Sequence, residues 1–247
     1  MRLEGKTAII TGAANGIGAE ISRLYAQEGA KVVLADLALE KAQEVADAIV
    51  KESGSETIAV KCNVASKEEV QNVVDICVEK FGKVDIIVNN AGITLPACPI
   101  EDISPEQWKR VLDIDLMGTI YGTQCVIPIM RKNGGGKIIN MASIAGQVGG
   151  VFTEATYPVS KAGVICLAKA VAKQVGKDNI TCNCIAPGTV LTAMTETLGS
   201  ADASLNVPLH RLGNVRDIAN AALFLASNES DFITGATIDV NGGMGMR

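Results

Sequence analysis

The chain has a single histidine, His210, in 247 residues, and none of its seven cysteines forms a C-x-x-C pair. Neither a zinc site of the usual His/Cys spacing nor a disulfide framework is expected. The cysteines stand at 62, 77, 98, 125, 166, 182 and 184. Cys182 and Cys184, two apart on an expected strand, would share one face of it. They read as small apolar residues, and no metal is expected. Aromatic residues make up only 3% of the chain, and 22 lysines and arginines are outnumbered by 27 acids, for a formal charge of −5. With no basic stripe and no interleaved aromatics, a nucleic-acid or anionic-membrane surface is not expected. No apolar run approaches the roughly 20 residues of a membrane span. The opening Met1 to Lys6 leads into a short apolar run, Ala8-Ile9-Ile10, too short and too charged at its start for a secretory signal. A soluble, cytoplasmic protein is expected. Long linkers, like-charge blocks and repeats are also missing, which favours one domain over residues 1–247.

What is present is an alternation. Short β-branched runs at Thr7 to Ile10, Lys31 to Ala35, Thr57 to Lys61, Val84 to Val88, Lys137 to Met141, Ile180 to Ile185 and Ala236 to Val240 read as strands. Between them apolar residues recur at helical spacing, as in Ile17, Ile21, Leu24 and Tyr25, or Val70, Val73, Val74 and Cys77. Strands rich in Ile and Val separated by helices imply an α/β fold: a Rossmann-type, doubly wound, mostly parallel sheet of seven strands covered on both faces. The stretch 189–206 follows Pro187-Gly188 at the carboxyl edge of that sheet and lacks strong periodicity. It is expected to be a substrate lid.

The first strand runs into Thr11-Gly12-Ala13-Ala14-Asn15-Gly16-Ile17-Gly18, with a helix after it. Glycines there allow a sharp turn and close approach of the backbone to a pyrophosphate, and the helix N-terminus offers free N–H groups. Asp36 ends the next strand, 18 residues beyond Gly18. A carboxylate in that place accepts from ribose hydroxyls and repels a 2′-phosphate, and no Lys or Arg stands at 13–15 or directly after Asp36 to offset it. NAD, not NADP, is the expected cofactor.

Tyr157 and Lys161 lie four apart on an expected helix and so share a face. A tyrosine has an ordinary pKa of about 10 and needs a nearby positive charge to act as a base at neutral pH. With that help it can remove the proton of an alcohol while hydride leaves, or give it back in the reverse direction. Ser143, just past the strand Lys137 to Met141, can hold the substrate oxygen. The same serine lacks a G-x-S-x-G setting and there is one histidine in the chain, which excludes a serine hydrolase. Gly134-Gly135-Gly136-Lys137 does not have the spacing of a P-loop.

These residues, with Asn89-Asn90-Ala91-Gly92 and Pro187-Gly188 followed by Thr192, resemble the short-chain dehydrogenase/reductase family over essentially the whole chain. The resemblance implies an NAD-linked oxidoreductase with Ser143, Tyr157, Lys161 and Asp115 as catalytic residues. It implies that Asn90, Ala91 and Gly92 line the adenosine and ribose side, and that Gly12, Asn15, Gly16, Ile17, Gly18, Asp36, Asn63 and Val64 also bind the cofactor. Lys161, with Tyr157, should bind the nicotinamide ribose, while Pro187, Gly188 and Val190 flank the nicotinamide and Thr192 reaches its carboxamide. Asn89 should support the central strand. A homotetramer, or a homodimer, is implied as well.

Two positions depart from the family pattern. Asn63-Val64 replaces an Asp-Val pair, with an amide oxygen still able to accept from an adenine amino group. Asp115 stands where relatives carry a catalytic asparagine whose backbone carbonyl holds a water linked to the lysine. A carboxylate near Lys161 would partly cancel the field on Tyr157, so Asp115→Asn is expected to lower the pH at which oxidation switches on.

The expected pocket edges, 94–98, 144–152 and 193–206, are small or apolar (Leu95, Pro96, Val148, Val151, Phe152, Met194, Leu198, Leu205) and contain no Lys or Arg. A neutral, moderately apolar ketone or secondary alcohol fits them better than an acid or a phosphate. The run Val207 to Gly213 and the closing Asn241-Gly242-Gly243-Met244 also resemble 3-oxoacyl-thioester reductases, for which Arg131 and Lys132 could dock an acidic carrier protein. A third possibility is an NAD-binding sensor or scaffold without turnover.

Overall fold

A computed structural model describes residues 1–150, 153–192 and 207–246. Seven parallel strands form one sheet in the order β3-β2-β1-β4-β5-β6-β7. They are β1 Thr7–Thr11, β2 Lys31–Asp36, β3 Thr57–Lys61, β4 Ile86–Asn89, β5 Gly136–Met141, β6 Ile180–Pro187 and β7 Thr237–Val240. All seven expected strands are there, with no end displaced by more than two residues. The largest differences are at β4, which starts two residues later than Val84, and β6, which runs on to Pro187.

The helices are α1 Gly16–Gln27, α2 Leu39–Ser53, α3 Lys67–Phe81, α4 Pro105–Val111, α5 Gly118–Lys132, α6 Ala145–Val148, α7 Thr156–Val175 and α8 Val215–Ala226. Their starts follow local chemistry. Ser104 and Gln107 form a reciprocal capping box at α4 with Pro105 in its first turn, and Asn214 with Asp217 does the same at α8. At α3 the Ser66 side chain accepts the Glu69 N–H.

Strand alternation divides the core in two. Ala8, Ile10, Leu34, Ile86, Val88 and Ile139 point to the face covered by α1, α2 and α8. Ile9, Val33, Ile87 and Ile138 point to the face covered by α3, α5 and α7. Burying each such Ile, Val or Leu side chain contributes about 1.5–3 kcal/mol, so both faces must be sealed for the sheet to persist. Tyr25, one of the few aromatic residues, is fully buried and donates its hydroxyl to the Ala222 carbonyl at 2.8 Å, tying α1 to α8. Burial raises its pKa.

Strand order reverses between β1 and β4, and the carboxyl ends of these strands open there into a crevice. Between α4 and α5 the helix widens into one π-helical stretch, Leu112–Met117. Such bulges displace a side chain relative to the regular helix face and recur at functional sites. Among the described residues no helix is long and apolar enough to cross a membrane, and no His/Cys/Asp/Glu group could hold a metal ion.

Candidate active site

The crevice consists of two adjoining cavities. The first, of about 300 Å³, is lined by Gly12, Asn15, Gly16, Ile17, Asp36, Asn63, Val64, Asn90, Ala91, Gly92 and Thr192, together with Leu37, Cys62, Ile93 and Ile114. The glycine-rich turn is possible because Gly12 and Gly16 have φ of 65° and 54°, the left-handed region that side chains resist. At Gly12 an added Cβ would also stand 2.8 Å from the Ala91 Cα. Gly18 does not line the crevice. Its place is fixed by packing, since a Cβ there would come within 2.2 Å of the Gly12 carbonyl oxygen.

Asn90 clamps this turn by donating its amide to the carbonyls of Thr11 and Gly12 at 2.9 and 3.0 Å. The Thr11 hydroxyl oxygen accepts in turn from the Asn90 and Ala91 N–H groups. Asn89 stays inside the sheet and bridges to Asn140 at 2.8 Å. Asp36 accepts the Ala14 N–H on one oxygen and the Ala38 N–H on the other, both at 2.9 Å. Its charge is thus held at the crevice mouth by backbone dipoles, and no Lys or Arg is among the residues lining the cavity. Asn63 accepts the Ala65 N–H with its amide oxygen at 3.1 Å, which leaves that oxygen one further lone pair.

The second cavity, of about 120 Å³, is lined by Ser143, Tyr157, Lys161, Pro187, Gly188, Val190 and Thr192, with Ile17, Asn90, Gly92, Met141 and Ala142. Ser143 follows β5, and its neighbours keep pairing with β6: the Ala142 and Ile144 N–H groups reach the Ile185 and Pro187 carbonyls. Its hydroxyl oxygen accepts the Ala145 N–H at 3.1 Å. Tyr157 and Lys161 share one face of α7, with the Lys161 Nζ 5.5 Å from the tyrosine ring centroid.

Lys161 is almost wholly buried. Its Nζ donates to the Met141 carbonyl at 3.1 Å and lies 3.3 Å from Asp115 Oδ2. Burial is the strongest influence on this amine and opposes its charge, but Asp115, Tyr157 and Cys184 together raise its pKa above the ordinary lysine value. One ammonium proton is left for a ligand such as a ribose hydroxyl. Asp115 does not line either cavity. It sits behind Lys161, fully buried, with Oδ1 accepting the Ile93 N–H at 2.8 Å and its carbonyl accepting the Thr119 hydroxyl. The carboxylate therefore does come against the lysine, whereas its carbonyl already has a protein donor.

Several contacts of the site carry no sequence signal that spacing rules can read. Ser160 donates to the Tyr157 carbonyl at 2.7 Å and lies 3.4 Å from Asp115 Oδ2. Gly92 leaves the gap beside the ion pair, for a Cβ there would stand 3.1 Å from Lys161 Nζ and 3.3 Å from Asp115 Oδ2. Glu154, three residues before Tyr157, is 1% exposed. One of its oxygens accepts the Thr156 hydroxyl at 2.5 Å and the other has no partner among the described residues. Val151, Phe152, Met194, Leu198 and Leu205, expected at the pocket edge, and the lid beyond Thr192 up to Asn206 lie outside the described residues.

A phenol, an ammonium and a hydroxyl on one wall of a crevice whose other end is a glycine-rich turn can transfer a proton beside a bound dinucleotide. Comparison with known proteins agrees with that chemistry. A family model described as "Enoyl-(Acyl carrier protein) reductase", of the short-chain dehydrogenase type, matches residues 12–245. The chain belongs to the short-chain dehydrogenase/reductase family. It is 42% identical over 99% of both chains to an uncharacterized short-chain type dehydrogenase/reductase of Sinorhizobium fredii. It is 40% identical, again over 99% of both, to a 3-oxoacyl-(acyl-carrier-protein) reductase of Thermotoga maritima. A crystal structure of a short-chain type dehydrogenase/reductase from Mycobacterium marinum superposes with a TM-score of 0.95 at 32% identity, covering 99% of this chain and 97% of that one. As a short-chain dehydrogenase/reductase the chain is an oxidoreductase of a family that uses nicotinamide cofactors.

Proposed function

We propose that the protein is an NAD(H)-dependent oxidoreductase that interconverts a secondary alcohol and a ketone on a neutral, moderately apolar small molecule. The observation that carries the choice of NAD is Asp36: a carboxylate at the mouth of the adenosine cavity, with no Lys or Arg lining that cavity to receive a 2′-phosphate. The bound cofactor supplies or accepts the hydride. Tyr157 gives its proton to the carbonyl oxygen, or takes it from the alcohol. Ser143 donates to the same oxygen and fixes it beside the phenol. Lys161 holds the nicotinamide ribose and, with Pro187, Gly188, Val190 and Thr192, sets the cofactor's reacting end against that oxygen. Gly12, Asn15, Gly16, Ile17, Asn63, Val64, Asn90, Ala91 and Gly92 hold the remainder, and Gly18 keeps the turn packed. One unbroken unit, cytoplasmic and assembled as a homotetramer or homodimer, belongs to the same reading. Val159, half-exposed on α7, is the kind of apolar side chain such an interface would cover.

A second reading is favoured by relatives such as the Thermotoga maritima reductase: reduction of a 3-oxoacyl thioester. The two share Tyr157, Lys161 and Ser143 and separate on substrate and cofactor. Nicotinamide absorbance should be followed over a panel of secondary alcohols, polyols, hydroxysteroids and 3-oxoacyl thioesters, with NAD(H) and NADP(H) side by side. The expected result is NAD-linked turnover of a simple ketone or alcohol that falls by about 10²–10⁴-fold in Tyr157→Phe. Preference for NADPH with thioesters would install the second reading. Tight NADH binding without turnover on any substrate would leave a sensor or scaffold.

A further inference from the structure

Lys161 has a buried acid directly behind it. Asp115 is carried inward by the π-helical stretch, its side chain is fully buried, and its Oδ2 lies 3.3 Å from Lys161 Nζ. Asp115 is fixed there by the Ile93 N–H on its other oxygen. The remaining titratable groups around the pair are few. Lys161 also interacts with Tyr157 on its own helix and with Cys184 on β6. Burial pushes the Cys184 thiol up to about 12, so that group brings no charge at neutral pH. From β5 the pair receives the Met141 carbonyl, the negative end of a dipole. Glu154, in the segment leading into α7, is a further buried acid three residues before the tyrosine. Asp113, on the same π stretch, is paired at the surface with Lys109.

A lone ammonium in a poorly solvated site would strongly favour the phenolate of a neighbouring tyrosine. An ammonium and a carboxylate in contact form a dipole, whose effect on a third group is much weaker. Reduction of a ketone by NADH consumes one proton, ketone plus NADH plus H⁺ giving alcohol plus NAD⁺, and uses the phenol form. Oxidation releases that proton and uses the phenolate. No catalyst alters the overall equilibrium, but the ionisation of the acid–base group decides the pH range in which each direction runs at full rate.

We propose that Asp115 sets the working direction of this site: by neutralising Lys161 it keeps Tyr157 protonated at neutral pH, so that the protein is a carbonyl reductase there and oxidises alcohols efficiently only in alkaline solution. Asp115 acts through Lys161 and is a positioning and charge-setting residue. The proposal rests on the reading of Tyr157 as the proton donor and acceptor.

Asp115→Asn removes the charge and keeps an oxygen for the Ile93 N–H. The first measurement needs neither substrate nor cofactor: the ultraviolet phenolate signal is titrated with and without Asp115→Asn, each against the same protein carrying Tyr157→Phe, to isolate Tyr157. The midpoint should fall by about one pH unit or more, giving on the order of tenfold more phenolate at any pH below it. The pH profiles of kcat/KM for oxidation and for reduction should then move to lower pH together and by the same amount. An unmoved phenolate titration would overturn the proposal, as would profiles that stay in place while the titration shifts. A shifted titration in a protein without turnover on any substrate would remove the functional reading, and the direction with it, while leaving the coupling of Asp115 to Tyr157 intact. Should circular dichroism show Asp115→Asn to be unfolded, the wild-type profiles decide: oxidation must still be rising with pH through neutrality, and a plateau already reached there would overturn the proposal.

Discussion

The two ends of the crevice hold their charges by different means. At the adenosine end the charge is Asp36, partly buried, with both oxygens met by backbone N–H groups of turns. At the catalytic end Lys161 and Asp115 are almost wholly buried and face each other at 3.3 Å, with the Met141 carbonyl and the Ile93 N–H as their further partners. A carboxylate satisfied by backbone dipoles keeps its net charge and can discriminate between ligands by repulsion. A buried charge satisfied by an opposite charge loses most of its outward field, and what it acts on is the proton of a neighbour. On the proposed reading, the adenosine end reads the cofactor, and the catalytic end sets when a proton moves.

The sharpest way to break this contrast is to leave one buried charge alone. Lys161→Met strands Asp115 in the interior, and a loss of about 3–5 kcal/mol in unfolding free energy is expected, measured by the denaturant midpoint. Lys161→Met with Asp115→Asn should recover most of that loss. If the double variant is as unstable as the single one, the pair is not coupled and the contrast fails. At the adenosine end the weak point is backbone shape. Gly12→Ala places a Cβ at φ 65° and 2.8 Å from the Ala91 Cα, so about 1–3 kcal/mol should be lost. NADH affinity, followed by fluorescence quenching, should drop with it, while the phenolate titration of Tyr157 stays where it was. A shifted titration would show the two ends to be one electrostatic unit.

The smallest effect is expected at a surface charge that resembles Asp36 in being backbone-held. Asp217 caps α8, and hydrogen bonds from Arg211 first, then from the Asn214 backbone, lower its pKa. A carboxyl whose folded pKa is depressed contributes stability that is complete above its unfolded pKa and is lost as pH falls through the folded one. Asp217→Asn should therefore lower Tm slightly at neutral pH and leave it unchanged once the pH lies below the folded pKa. Equal losses at both pH values would mean that the cap, not the charge, is what stabilises.

Much of the fold was legible in the order of residues, because a strand or helix is announced by a local period. The alternation of Ala8, Ile9 and Ile10, or of Val32, Val33 and Leu34, directs side chains to opposite layers of the sheet, and no distant residue is needed to know it. The glycine turn and Asp36 were legible for the same reason: both sit at strand ends, where chain direction is already fixed. Tyr157 and Lys161 were legible because one helical turn brings residues four apart to one face.

Other features of the site depend on segments far apart in sequence. That Asp115 would stand near Lys161 could be anticipated from family likeness. Its complete burial, its 3.3 Å contact and its π-helical setting depend on α4, α5 and α7 packing against one another. Glu154 gave no signal, since an acid among small polar residues reads as solvated loop until the chain folds over it. The sequence by itself determined the period of each element, the turn that a dinucleotide requires and the types of group available for proton transfer, because these are set within a few residues. Tertiary structure alone decided which charges lose their water and how closely they meet, because desolvation and distance are properties of the packed whole.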